Sequence, residues 1–374
     1  MHSKWPTLRF DRRLLLNFDW VLLVAVLAVI GLGIANLYSA GYGGHAGTPV
    51  YLKQLSYTLV GLGFFVLLMG LDYRLLGKYA PVLYLAVVFA LVLAAVMGKT
   101  VSGSQRWIDL GIFRLQPSEP AKLALVITLA SYYFRKDTGK GFTLPELAAP
   151  MALTGLPFVL ILLQPDLGTA MMLAILFGSI TLFVKLTWPT FIVLASGAVS
   201  AAVVAWKYVL KPYQIQRILT FLDPEQDPSG AGYHILQSKI AVGSGLKFGK
   251  GWLQGTQGHL DFLPERHTDF AFSVWGEEWG FVGSLVFLGC YFFLILWGLN
   301  IALHAKDKFG VLLAFGIVTL LFWQAFINLA MVLGLLPVVG IPLPMVSYGG
   351  SSLLTTLMGL GILMSIRMRR FLIV

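Results

Sequence analysis

The sequence predicts an all-α polytopic membrane protein, on three observations. Apolar runs recur along all 374 residues, each of about 17–25 residues and long enough to cross a hydrocarbon core of about 30 Å. The composition is 57% hydrophobic and 12% charged, with a mean hydropathy of +0.81. The period-two alternation of a membrane barrel is missing, so backbone groups in lipid must pair within helices. With no internal repeat or low-complexity tract, residues 1–374 read as a single integral membrane domain.

Ten spans follow in order. The basic leader MHSKWPTLRFDRRLLLNFDW precedes the first, 20–38. No small-residue cleavage site follows that run, so it reads as a retained helix. The second and third are 54–71 and 79–97, and the fourth is 119–134. QPSEP opens the fourth, with Ser118 as its N-cap and Pro120 near its first turn. The fifth and sixth, 147–163 and 168–184, are divided by the helix break Gln164-Pro165-Asp166. After the seventh, 189–209, comes the one long loop, residues 210–269, rich in Gly, Pro, Gln and charge. Loops of such length are usually functional or disordered. Within it, HILQSKIAVG has the apolar spacing of a short interfacial helix. The last spans are 270–298, 309–336 and 345–366. Gly334, Pro337, Gly340, Pro342 and Pro344 predict broken or re-entrant backbone ahead of the tenth. Such backbone is tolerated only where it is buried in protein or lines a cavity.

An even number of spans puts both termini on one side. Lys4, Arg9, Arg12, Arg13, Arg74, Lys78, Arg135, Lys136, Lys140, Lys185, Lys306, Lys308, Arg367, Arg369 and Arg370 lie on that side. The two short outer loops hold Lys53, Lys99, Arg106 and Arg114. The positive-inside rule therefore places both termini in the cytoplasm. The net charge of +10 is this asymmetry, and no nucleic-acid partner is expected. Loop 210–269 then lies outside the cell. Cys290 is the only cysteine and reads as a small packing residue.

Acids show a second asymmetry. Asp109, Glu119, Asp166, Asp223, Glu225, Asp227, Asp261, Glu265, Asp269, Glu277 and Glu278 fall in outer loops or within or beside spans. Ionisable groups at membrane depth mark a cavity or a partner. Glu119, Lys122, Asp166, Asp269, Glu277 and Glu278 thus point to a polar cavity that opens outward.

FLPERHTDF, residues 262–270, concentrates the chemistry. A helix starting near Pro264 would set Glu265 and Asp269 on one face, with Glu277 within about 80° of it. Either these acids favour the positive end of a helix dipole, or one carboxylate serves as a general base. An Arg-His-x-Asp string, followed two turns later by further acids, favours the base. His259, Asp261, Glu265, His267 and Asp269 match no metal-site spacing. A divalent ion shared with a phosphate ligand suits them better, and nothing calls for an organic cofactor. GSGLKFGKG, residues 243–251, fails as a Walker A motif and reads as a flexible loop or an anion-binding backbone. Arg106 and Trp107 read as an interfacial anchor or as a phosphate ligand with a sugar-stacking ring.

These stretches together resemble the SEDS family, the shape, elongation, division and sporulation proteins. The pattern runs from Asn328 through Gly334, Pro337 and Gly340 to Ser347-Tyr348-Gly349-Gly350-Ser351-Ser352. QRWIDLG, RLQPSEPAK, QPDLGT, LDPEQDPSGAGYH, QSKIA and LPERHTDF look like blocks of its cell-elongation branch, in order. The resemblance covers about residues 15–370, and GSGLKFGKG departs from the usual Gly-Ser-Gly-Gly run. It implies a ten-helix peptidoglycan glycosyltransferase that polymerises lipid II during cell elongation and rod-shape maintenance. It also implies a class B penicillin-binding transpeptidase partner among the membrane proteins of the elongation complex. The family's essential aspartate matches Asp269, and its loop tryptophan matches Trp107.

The expected mechanism is inverting transfer with Asp269 as general base. Arg106, Lys122, Arg217, Lys239 and Arg266 are candidates for the leaving diphosphate, with Mg²⁺ or Mn²⁺ as a possible companion. Trp107, Glu119, Glu265, His267 and Glu277 complete the expected substrate-binding set. Two rival readings are a lipid II flippase and a non-catalytic scaffold for the transpeptidase.

Overall fold

The computed structural model describes residues 16–42, 49–101, 104–109, 114–136, 139, 141–223, 230–259, 262–263 and 265–370. Residues 1–15 of the basic leader, Lys140, Glu225, Asp227, Asp261, Pro264 and the His259 side chain lie outside them.

Each of the ten expected spans coincides with a helix. These are α1 (Trp20–Ala40), α2 (Val50–Gly70), α3 (Tyr73–Met97), α4 (Ser118–Lys136), α5 (Leu144–Leu163), α6 (Leu167–Phe183) and α7 (Trp188–Val204). A π-helical turn, Ala205–Val209, extends α7. Then come α8 (Pro212–Leu222), α9 (Ala231–Ser244), the short α10 (Thr256–His259), α11 (Ala271–Leu303), α12 (Lys308–Val332) and α13 (Gly350–Met368). Eight of the described helices are long and apolar enough to cross a membrane. Two more of the expected spans fall short for identifiable reasons: α6 has 17 residues, and α4 carries Glu119, Lys122, Arg135 and Lys136. Several helices start earlier than expected. α3 begins at Tyr73 because Asp72 caps it, its carboxylate accepting from Arg74 N at 2.9 Å.

α12 and α13 are the most buried spans and form the centre of the bundle. α2 lies close along α13, where Gly361 meets the Phe65 backbone and Gly61 meets Leu357. Small residues allow such close approach between membrane helices. α7 is the opposite case, with Thr190 its only buried residue.

One end of the bundle is closed by paired charges. Asp19 accepts from Leu22 N, Trp297 Nε1 and Arg367 Nε, each at 3.0 Å. Asp307 caps α12 through Gly310 N at 2.7 Å and accepts from Tyr73 Oη at 2.7 Å and Arg74 Nε at 3.0 Å. Arg369 donates to Gly70 O at 2.7 Å.

The other end departs from the sequence expectations. Residues 99–115 hold a small antiparallel sheet of β1 (Lys99–Val101), β2 (Ser104–Asp109) and β3 (Arg114–Leu115), in that order. Loop 210–269 is not structureless: it carries α8, α9 and α10. α9 covers the expected HILQSKIAVG helix but is packed in, its Ser238 Oγ donating to Val332 O at 2.6 Å.

GSGLKFGKG is packed, and the backbone amides of Gly249, Lys250 and Gly251 are already taken by carbonyls. It docks by its backbone on a break in α11. Lys250 N and Gly251 N donate to Glu277 O and Glu278 O at 3.0 Å, and Phe281 N donates to Leu246 O at 2.8 Å. Gly280, at φ 61° and ψ −160°, makes the break, a backbone region nearly reserved for glycine. A side chain at Gly249, also at positive φ, would strike the Glu278 carbonyl.

Candidate active site

The segment 265–270 is a set of turns ahead of α11, not the helix expected from Pro264. Thr268 N and Phe270 N both donate to Glu265 O at 3.2 Å. Three neighbours hold the segment in place. Arg266 Nε donates to Ala40 O at the end of α1 at 2.9 Å. Tyr348 N donates to His267 O at 2.7 Å. Asn328 Nδ2, from the last turns of α12, donates to Asp269 O at 2.9 Å and to Ile341 O at 2.8 Å. That fork ties the aspartate's backbone to the broken stretch 333–349, where Gly334 and Gly340 have φ of 66° and 74°. The irregular backbone expected there is present, and it is packed against this segment.

Asp269 is half-buried, and its Oδ2 lies 3.6 Å from where a Cβ on Gly340 would stand. Among the described residues no hydrogen bond reaches its carboxylate. Burial raises its pKa first, and Glu265 and Asp166 add repulsion; Arg217 and Arg106 oppose them. The net effect is a pKa pushed up to about 6.

The opposing charges come from separate elements. Arg106 in β2 pairs with Asp166 at 3.3 Å and donates to Pro165 O at 3.5 Å. Asp166 caps α6 through Thr169 N at 3.1 Å and Thr169 Oγ1 at 3.0 Å. Arg217 in α8 donates to Val338 O at 3.3 Å, and the neighbouring Val339 carbonyl touches Gly168 at the start of α6. The helix break, the sheet and the 333–349 backbone thus meet beside Asp269.

Glu119 and Lys122 form a buried pair at 2.7 Å inside α4. The α4 start is fixed from α13, since Gln116 N donates to Ser351 Oγ at 3.0 Å. Ser118 is the first helical residue and not the expected cap, and its buried hydroxyl has no partner among the described residues.

Other expected residues stand apart. Glu277 is not on a shared face with Asp269. Its fully buried carboxylate accepts from Lys250 Nζ at 2.6 Å, Thr256 N at 2.8 Å, Thr256 Oγ1 at 3.0 Å and Gln257 N at 3.1 Å. Glu278 accepts from Ser39 Oγ. Glu265 is exposed, and its Oε2 accepts from Thr268 Oγ1 at 2.7 Å. Lys239 is exposed on α9, its stem against Gly334. Trp107 follows Arg106 in β2 and so faces the other side of the strand. In the sequence, Asn328 stands out only as the start of the pattern that ends at Ser352. The available signal is an amide inside a largely apolar, buried helix, near its C-terminal end.

This arrangement matches known proteins along nearly its whole length. A family model described as "Cell cycle protein" (FtsW, RodA, SpoVE) matches residues 14–371. The chain belongs to the FtsW/RodA/SpoVE family. A curated relative, the peptidoglycan glycosyltransferase MrdB of Escherichia coli K12, is 41% identical over 95% of this chain and 94% of its own. The peptidoglycan glycosyltransferase RodA of Treponema pallidum is 34% identical over 95% of this chain and 98% of its own. Among solved structures, a chain of a peptidoglycan synthase complex superposes with a TM-score of 0.80 at 34% identity, covering 95% of this chain and 98% of that one. The rod shape determining protein RodA of Thermus thermophilus superposes with a TM-score of 0.71 at 31% identity, with the same coverage. Family membership and apolar helices together make this a multi-pass membrane protein.

Proposed function

We propose that this chain is a peptidoglycan glycosyltransferase that polymerises lipid II in cell elongation by inverting transfer. The observation that carries the reading is Asp269: a carboxylate with no hydrogen bond among the described residues, a pKa near 6 and two arginines nearby. A base with a pKa close to the working pH is efficient and is still ionised there. Asp269 takes the proton of the acceptor sugar's 4-hydroxyl. The hydroxyl oxygen bonds to the anomeric carbon of the lipid-linked strand, and the bond from that carbon to the diphosphate breaks.

General-base catalysis supplies about 10²–10⁴-fold, so stabilisation of the leaving diphosphate must supply much of the rest. Arg106 and Arg217 are best placed, because both act on Asp269 from separate elements. Lys122, Lys239 and Arg266 come second, with Lys122 paired to Glu119 and Arg266 holding Ala40 O. Trp107 remains the candidate for sugar stacking. Among the described residues no three His, Cys, Asp or Glu side chains converge, and Asp166 is already engaged. These side chains do not build a cage for Mg²⁺ or Mn²⁺, so such an ion would be held chiefly by the substrate diphosphate.

The charge asymmetry supports cytoplasmic termini and a site on the outer face, where lipid II is polymerised. The similarity to a chain of a peptidoglycan synthase complex supports a penicillin-binding transpeptidase as partner. The test is polymerisation of fluorescent lipid II in detergent by the purified protein with that partner. Wild type is expected to make glycan, and Asp269→Asn to make about 10²–10⁴-fold less. Glycan made by Asp269→Asn at the wild-type rate would sink the base assignment. Lipid transport across vesicles by wild type, with no glycan in detergent, would favour a flippase.

A further inference from the structure

Beside the Asp269 segment lies an aromatic surface with no part in the chemistry above. Tyr38 near the end of α1 is its centre. Tyr51 at the start of α2 stands edge-on to it at 5.1 Å between ring centroids, Trp252 at 5.8 Å and Tyr42 at 6.4 Å. Tyr42 and Trp252 are 53% and 50% exposed, so both rings keep about half of their surface accessible. The base of the surface is tied to the active-site segment: Arg266 holds Ala40 O at 2.9 Å, and the His267 ring borders Gly41.

Isolated Tyr and Trp at such a level are ordinary interfacial anchors. This group differs in being built. Trp252 sits in a loop whose two flanks, Lys250 and Thr256–Gln257, are both bound by the one buried carboxylate of Glu277. The next residue, Leu253, has φ 63°, a conformation that costs a non-glycine residue free energy and persists only where its surroundings impose it. The structure thus spends a buried acid and a strained residue to hold one exposed indole against Tyr38.

We propose that Tyr38, Tyr42, Tyr51 and Trp252 form a binding platform for the β-1,4-linked N-acetylhexosamine strand next to the catalytic segment. Pyranose rings present patches of C–H bonds that stack on aromatic faces, while their hydroxyl and N-acetyl groups stay in water. Two half-exposed rings on a packed base suit successive sugars of a chain better than one lipid headgroup. The inference rests on the glycosyltransferase reading, and it explains why Glu277 is buried away from Asp269.

The test separates the two claims by using a ligand that needs no catalysis. Chitohexaose, which has neither lipid nor diphosphate, is titrated into the full-length protein in detergent and followed by saturation-transfer NMR. Wild type is expected to bind, and Trp252→Leu and Tyr42→Leu to bind about tenfold more weakly. Trp252→Phe keeps most of the affinity, because it keeps an aromatic face. Both Leu variants also make shorter glycan from lipid II, with unchanged melting temperatures. Equal binding by wild type and the Leu variants, or no binding by wild type, overturns the platform. Trp252-dependent binding by a protein that makes no glycan would leave the platform standing and remove the glycosyltransferase reading.

Discussion

Asp269 and Glu277 stand eight residues apart in one chain segment, and the fold treats their carboxylates in opposite ways. Glu277 is fully buried and accepts from a lysine, a hydroxyl and two backbone amides. Asp269 keeps part of its surface open, accepts none of these among the described residues, and faces repulsion from Glu265 and Asp166. A satisfied buried acid is scaffold: its charge is spent in holding a loop. An acid denied donors keeps its basicity, and its raised pKa records that. Proximity in sequence and identical chemistry do not imply a shared role, and counting donors separates the two.

Replacing each acid tests the contrast most directly. Asp269→Asn is expected to lose about 10²–10⁴-fold in polymerisation and no stability at neutral pH. The sign follows from the raised pKa. Between the ordinary aspartate range and about 6 the folded protein holds the proton more tightly than the unfolded chain, so this group's contribution to stability falls as pH rises through that window. An uncharged amide removes the unfavourable contribution. A drop in melting temperature at pH 7.5 would show that the ionised carboxylate has a stabilising partner. Glu277→Ala is expected to do the reverse, costing about 1–3 kcal/mol by removing the buried acceptor of the Thr256 and Gln257 amides. Limited proteolysis between Gly245 and Gln257 reads out the loosened loop.

Asn328→Ala sharpens the Asp269 side. It removes the fork to Asp269 O and Ile341 O and lets the base drift. Misplacement of that kind costs up to about 10²-fold. The fall should appear in kcat at an unchanged pH midpoint, because the groups that set the pKa stay in place. The wild-type rate itself should fall about tenfold per pH unit below a midpoint near 6 as Asp269 takes up its proton. A midpoint near 4 would mean that the carboxylate is solvated like an ordinary one.

How much of this was legible in the sequence depended on the range of the interaction. Hydropathy is a property of each segment alone, and every expected span is a helix. Gln164-Pro165-Asp166 and the Gly334–Pro344 stretch were legible as breaks because Pro and Gly act locally. Asp269 stood out because charge is costly beside a span. The pairing of Arg106 with Asp166, 60 residues apart, was not legible, and neither was the Asn328 fork, since both depend on tertiary contacts. Glu277 was misplaced for an identifiable reason. Helical periodicity put it on the Asp269 side, but the helix begins only at Ala271, which removes the basis for that phase. The partners that claim Glu277 lie in GSGLKFGKG and beyond it, where glycines read as flexibility although their use is close backbone docking.

The smallest expected effect bears on what kind of clamp Glu277 makes. Lys250 Nζ is its closest partner at 2.6 Å, yet the lysine side chain is 28% exposed. A partly solvated ion pair contributes about 1 kcal/mol or less. Lys250→Ala leaves the Thr256 and Gln257 donors on the carboxylate, so its cost should stay near that figure, below that of Glu277→Ala. Thermal unfolding of both variants and of the double variant measures the coupling. If Lys250→Ala costs as much as Glu277→Ala, the clamp is a charge pair and the backbone donors are incidental. If it costs little, the amides of Thr256 and Gln257 hold the acid, and the same loop can present Trp252 with or without the lysine.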